Sequence, residues 1–189
     1  MARRQRAPGA PVRFGYLGRI EGAKGFDVLL EACRRLPEAG WRLAVAGRAV
    51  DGLDRYRTLA EGLPVNFLGY VERDAFLDGL DCLVVPPVWP EPFGRTVAEA
   101  YGRGVPVIGT ATGGIGEQVG PGPWLVPPGD ASALAAAMTR IVAEPARLAE
   151  GLARAARIRA GTDPVAVATA FLDLYAATRT EPLPELSAR

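Results

Sequence analysis

A doubly wound, Rossmann-like α/β fold is predicted, with one parallel sheet of about six strands and helices on both faces. Three observations predict it. Short apolar runs alternate with longer stretches of helical periodicity, several runs are apolar on both faces, and most glycines lie in the junctions between them. A strand apolar on both faces belongs in the middle of a sheet covered on two sides. Successive parallel strands then require right-handed crossovers through helices.

The elements follow in order. VRFGYL (12–17) reads as the first strand. After a glycine-rich loop, FDVLLEACRRL (26–36) spaces Val28, Leu29, Ala32, Cys33 and Leu36 along one helical face. RLAVAG (42–47) is a strand and LDRYRTLAEG a helix; VNFLG (65–69) and RDAFLDGL repeat the alternation. DCLVVP (81–86) leads to the helix GRTVAEAYGRG, VPVIGT (105–110) to a short helix starting at Glu117, and WLVP (124–127) is the last strand. SALAAAMTRIVAE, PARLAEGLARAARIRA and PVAVATAFLDLYAAT read as three closing helices, with Asp130 and Asp163 as N-caps and Pro145 and Pro164 in first turns. The first eleven residues, with Arg3, Arg4 and Arg6 among Pro and Gly, read as a basic linker or tail; a contact with an anionic membrane surface is the alternative. RTEPLPELSAR (179–189) reads as a second tail, which leaves 12–178 as one domain.

Composition narrows the function. The 189 residues hold 22 Lys plus Arg and 21 Asp plus Glu, a net charge of +1, so the chain lacks the positive field of a nucleic-acid binder. No apolar run approaches the roughly 18 residues of a transmembrane segment, and the basic start is followed by no apolar stretch, so neither a membrane span nor a secretory signal is expected. Cys33 and Cys82 sit inside apolar segments without metal-ligand spacing, and two buried free thiols are expected. The chain has 0 histidines, which removes Ser-His-Asp triads, Cys-His pairs and the commonest zinc sites. No metal site is expected.

In such sheets, ligands bind beyond the carboxyl ends of the strands, so the loops at 18–25, 47–53, 69–73, 86–94 and 110–116 are where chemistry is sought. The loop GRIEGAKGFD (18–27) places Arg19 and Lys24 five residues apart on a flexible backbone after Gly18. A planar fork and a point charge at a strand end suit a diphosphate; the bland reading is two solvated cations beside a turn. EPFGRTVAEAYGRGVPVIGT (91–110) holds Glu91 and Glu99 with a helix opening at Gly94 between them. The first amides, at Gly94, Arg95 and Thr96, have no intrahelical acceptor and form an anion site at the positive end of the helix. Glu99 lies about 7.5 Å further along the axis. The two carboxylates could therefore accept from hydroxyls on either side of a bound diphosphate; taken alone, a solvent-facing Glu on an amphipathic helix and a Glu before a proline in a turn explain them better. In TATGGIGEQV (110–119), Gly113-Gly114 allows a tight turn, a weak signal by itself.

Together these segments resemble the C-terminal, donor-binding domain of retaining glycosyltransferases of the GT-B fold, glycosyltransferase family 4 or group 1 type. YLGRIEGAKGFDVLLEA, LAVAGRA, FLGYV, DCLVVPP, EPFGRTVAEAYGRGVPVIGT, GGIGEQV and LVPPGD occur in the family's order over residues 12 to about 178. The resemblance implies binding of a nucleoside-diphosphate sugar as donor substrate, with no separate cofactor or metal. Gly18, Arg19 and Lys24 would hold the diphosphate; Glu91 the hydroxyls of the transferred sugar; Phe93, Gly94, Arg95 and Thr96 the sugar or phosphate through the helix start. Glu99 would hold the ribose, and Tyr70 and Val71 would meet the nucleobase. Glu91, Arg19 and Lys24 are the residues implied in catalysis. Gly116 stands where many relatives have proline, the Gly47-Arg48-Ala49 loop lacks a common glycine–acid–glycine pattern, and Arg95 replaces an aliphatic residue.

The family's N-terminal half, with the acceptor site, has no counterpart here. The resemblance thus implies an excised domain or one half of a split protein, inactive alone and needing that half in cis or in trans. It also implies a cytoplasmic enzyme, peripheral at the inner membrane surface when whole. A non-catalytic nucleotide-sugar-binding module is the alternative.

Overall fold

The computed structural model describes residues 6–161 and 164–178. Six strands form one sheet: β1 (Val12–Leu17), β2 (Trp41–Ala46), β3 (Val65–Gly69), β4 (Cys82–Val85), β5 (Val107–Thr110) and β6 (Leu125–Val126). Every pairing is parallel, and the spatial order is β3-β2-β1-β4-β5-β6. The chain therefore builds outward from β1 in one direction and then, with β4, in the other. The order reverses between β1 and β4, and a crevice must open at their carboxyl ends because the following loops diverge there.

The helices are α1 (Phe26–Cys33), α2 (Leu53–Leu59), α3 (Arg73–Asp78), α4 (Arg95–Gly102), α5 (Gly113–Val119), α6 (Ala131–Ala143), α7 (Leu148–Gly161) and α8 (Pro164–Thr178). The first seven flank the sheet, with α1 packed beside α6 and α4 beside α7, whereas α8 is exposed over Val165–Thr178. The doubly wound architecture matches the predicted fold class.

The boundaries differ where proline intervenes. The helical pattern over 26–36 ends at Cys33, because Arg35 N and Leu36 N bond to the carbonyls of Ala32 and Cys33 in tightened turns and Pro37 disfavours helical backbone at Leu36. β5 starts at Val107 because Pro106 offers no N–H to the ladder, and β6 stops before Pro127 for the same reason. A short 3-10 turn over Pro145–Arg147 precedes α7 in place of one continuous helix. Asp130 caps α6 as expected, accepting from Ala133 N at 2.8 Å. Asp163 and the segment 179–189 lie outside the described residues, as do residues 1–5.

The core is apolar and continuous through both halves of the sheet, with Phe14, Leu29, Val45, Leu83, Ile108 and Met138 fully enclosed. An aromatic cluster joins the carboxyl end of β1 to its neighbours: Phe26 lies 4.8 Å from Tyr16, 5.2 Å from Tyr56 and 6.0 Å from Phe67, centroid to centroid and edge-on. It anchors the start of α1, and hence the loop before it. At the opposite end of the sheet, Arg13 and Asp81 are buried as a fork-to-fork pair, at 2.9 and 3.1 Å, and Asp81 also accepts from Arg13 N at 2.9 Å. Removing one partner of such a pair strands a charge in the interior, at a cost of about 3–5 kcal/mol. Cys33 and Cys82 are free and buried, and burial pushes the Cys33 thiol up to about 12.

Candidate functional site

Two cavities of about 350 Å³ each open at the carboxyl ends of the strands, on either side of a shared wall formed by Leu17, Gly18, Arg95 and Thr96. They form one crevice at the β1/β4 reversal. Every one of the eleven residues singled out from the sequence lines it. Lys24, Glu91, Phe93 and Gly94 line the first cavity; Arg19, Tyr70, Val71 and Glu99 line the second; Gly18, Arg95 and Thr96 belong to both.

The shared wall includes the start of α4. Gly94 is the N-cap, in the left-handed region at φ 76° and ψ 58°, and no side chain caps the helix. The unsatisfied first-turn amides and the positive end of the helix therefore face the middle of the crevice.

The loop carrying Glu91 is held from two sides. From the first, Val88 N and Trp89 N bond to the Ala23 carbonyl at 3.1 and 3.3 Å, tying it to the turn that carries Lys24. From the second, Gly114 N bonds to the Glu91 carbonyl at 2.8 Å and the Gln118 amide donates to the Phe93 carbonyl. A Cβ at Gly113 would sit 2.1 Å from the Glu91 carbonyl oxygen, and its φ of +50° is left-handed. Only glycine permits this contact. The contact also explains a correction: α5 starts at Gly113, four residues before the expected Glu117. Burial of Ile115 and Val119, one turn apart, and the packing of Gly113-Gly114 onto the 91–93 backbone override the poor helix propensity of three glycines.

The charged groups are paired in a way their spacing along the chain did not suggest. Lys24 Nζ binds Glu91 Oε1, and both side chains are largely covered. Arg19 lies 3.0 Å from Glu21 and is 65% exposed. The two cations therefore do not converge on one cavity; each is held by its own carboxylate, Lys24 in the first cavity and Arg19 in the second. Glu99 Oε1 accepts from Arg73 Nη1 at 3.4 Å, and Arg73 Nε donates to Asp74 Oδ1 at 2.7 Å. The hydrogen bond from Arg73 holds the Asp74 carboxyl below its usual range. Tyr16, on the first cavity's wall, donates to the Arg19 carbonyl and so pins the loop; burial, then the Glu21 charge, push its phenol far above the ordinary value.

Sequence reading missed Arg73, Tyr16 and Gln118. Arg73 follows the Tyr70-Val71 segment by two residues, and that proximity was the available signal. Tyr16 resembles an ordinary strand residue, and Gln118 carries no local mark. Among the described residues, no cluster of three or more Cys, Asp or Glu side chains is arranged to hold a metal ion, and no helix is long and apolar enough to cross a membrane.

The six-stranded Rossmann-like sheet matches that of solved GT-B glycosyltransferases. Residues 2–159 match the family model "Glycosyl transferases group 1", and the chain belongs to that family. It is 36% identical to the glycogen synthase of Mycobacterium tuberculosis over 198 residues, covering 97% of this chain and 47% of that protein. Among solved structures, the sucrose-phosphate synthase of Thermosynechococcus elongatus superposes with a TM-score of 0.75 at 31% identity, over 92% of this chain and 47% of the other. Anabaena Alr3699/HepE, solved in complex with UDP and glucose, superposes with a TM-score of 0.76 at 24% identity, over 88% and 48% respectively, a likeness of fold. The chain thus spans about half the length of these proteins.

Proposed function

We propose that this chain is the donor-binding half of a retaining glycosyltransferase, which moves a sugar from a nucleoside diphosphate to an acceptor hydroxyl. One observation carries the reading: a single crevice has the N-terminus of α4 at its middle, Glu91 at one end and Glu99 at the other. A diphosphate at the helix start would place the transferred sugar in the first cavity, against Glu91 and Lys24. The nucleoside would lie in the second, with its ribose on Glu99 and its base beside Tyr70 and Val71.

The chemistry follows from where charge develops. As the glycosidic bond breaks, negative charge gathers on the diphosphate and positive charge on the sugar. Lys24, Arg19 and the first amides of α4 stabilise the departing group. A departing phosphate oxygen takes the proton of the incoming acceptor hydroxyl on the same face, which retains configuration. Glu91 positions the sugar, and no metal takes part. Loss of one preorganised donor costs roughly 10²–10³ in turnover of the complete enzyme.

The acceptor site and the other half of the enzyme come from an N-terminal GT-B domain, in cis or in trans. An apolar surface on this chain supports a missing partner: every side chain from Val165 to Thr178 in α8 is exposed, among them Phe171, Leu172, Leu174 and Tyr175. Calorimetric titration with UDP, GDP and ADP and their sugar conjugates tests the reading. One nucleotide series is expected to bind, with no transfer by this chain alone and transfer restored on adding the matching half. Absence of binding by all three series would reject it.

A further inference from the structure

We propose that Arg73 is a specificity-determining residue of the nucleoside cavity, selecting ribonucleotides over 2′-deoxyribonucleotides together with Glu99. This rests on the reading that a nucleoside diphosphate occupies the crevice. Arg73 opens α3 after the loop that follows β3, and it lines the second cavity together with Glu99 of α4. Its Nη1 faces Glu99 Oε1 across 3.4 Å, longer than the roughly 2.7–2.9 Å of a tight charge-assisted bond. The pair is therefore a weak one, and its two members can turn their remaining donors and acceptors to a ligand in the cavity that both line.

The chemistry on the two sides is complementary. A carboxylate only accepts hydrogen bonds, and a guanidinium only donates them. A ribose cis-diol does both: each hydroxyl carries one proton to give and an oxygen to receive. Laid against Glu99 and Arg73 from the cavity side, the 2′- and 3′-hydroxyls donate to the carboxylate and accept from the guanidinium. A 2′-deoxyribose lacks one of those hydroxyls and leaves part of a charged pair unsatisfied.

The guanidinium is held for this task. Arg73 Nε is fixed by Asp74 Oδ1 at 2.7 Å, and the other oxygen of Asp74 lies 3.8 Å from Arg103, which itself forms a forked pair with Asp78. Two carboxylates and two arginines thus set the position of the Nη groups toward the cavity. A mere surface ion pair, worth little to stability, needs no such second anchor.

The test is calorimetric titration of the wild-type chain, Arg73→Ala and Arg73→Lys with UDP, GDP and ADP and with their 2′-deoxy counterparts. The wild type is expected to favour the ribonucleotide of the series it binds by about tenfold, in line with one lost charge-assisted hydrogen bond. Arg73→Ala should lower ribonucleotide affinity by about three- to fivefold, leave 2′-deoxyribonucleotide affinity within about twofold, and so shrink the preference to the part that Glu99 supplies. Arg73→Lys, which lacks the planar fork, should restore less than half of the loss on a logarithmic scale. An unaltered preference in Arg73→Ala, or no preference in the wild type, overturns the assignment of Arg73 while leaving the donor site standing. Failure of every ribonucleotide to bind the wild type overturns the donor-site reading itself, and the role of Arg73 with it. Arg73 is about half exposed, so the variants are expected to unfold at the wild-type temperature.

Discussion

At the residue scale, the central feature is that Lys24 and Glu91 hold each other within the crevice. The proposed function gives each a different part of the donor, the cation the phosphates and the carboxylate the sugar. Binding must therefore exchange their mutual contact for contacts with the ligand. Glu91→Gln removes the competing charge and frees Lys24. The expected outcome is unchanged or tighter binding of the nucleoside diphosphate, with loss of the extra affinity that the attached sugar provides. Lys24→Ala should weaken the same nucleotide by about tenfold or more, since a charge-assisted bond contributes roughly 1.5–3 kcal/mol. Isothermal titration of both variants decides the matter; an equal loss in both would place Glu91 and Lys24 in a purely structural pair. The candidate residues were legible because their types suit the chemistry and their loops follow strands. Their pairing was not, because Lys24 and Glu91 are 67 positions apart and meet only when β4 docks beside β1. The pairing of Arg73 with Glu99 was hidden for the same reason, since nothing along the chain tells which loop faces which.

At the element scale, α5 teaches how packing outweighs propensity. A segment with glycine at 113, 114 and 116 reads as a turn, yet it forms a helix whose first residues lie against the backbone that carries Glu91. Gly113→Ala is the sharpest probe. Its Cβ would collide with the Glu91 carbonyl and require a left-handed conformation costly for alanine, so a loss of about 1–3 kcal/mol is expected in urea unfolding. Because the displaced element is the Glu91 loop, affinity for the sugar-bearing nucleotide should fall more than affinity for the bare diphosphate. Gly102→Ala, at a helical position with open space around its Cβ, is the matched control and should leave binding unaltered. The strands were legible to within one or two residues, since a buried parallel strand leaves a continuous apolar run. Their ends were less so, because prolines that terminate pairing at 106 and 127 do not interrupt the apolar run itself.

At the scale of the whole molecule, the exposed apolar helix α8 is the feature that a self-contained domain would bury. Its periodicity predicted a helix, but an apolar pattern cannot tell whether the surface it meets lies on the same chain. Removal of residues 164–178 should reduce self-association and binding of a hydrophobic dye, both measurable by light scattering and fluorescence. Nucleotide affinity should persist, because α8 contributes nothing to either cavity of the crevice. Loss of nucleotide binding in the shortened chain would instead mean that α8 supports the sheet.

The order of the strands also bears on how the protein comes into being. β1, β2 and β3 pair with sequence neighbours, whereas β4 reaches β1 across a long intervening stretch, with Arg13 and Asp81 sealing the join at the far end. Long-range parallel pairing is slow because its loop-closure entropy precedes its reward. The crevice therefore has no existence in a half-formed sheet: its second wall, from Glu91 to Glu99, is in place only once the segment through α4 has been synthesised and β4 has docked on β1, and on the proposed reading a nascent chain can recruit its donor only then.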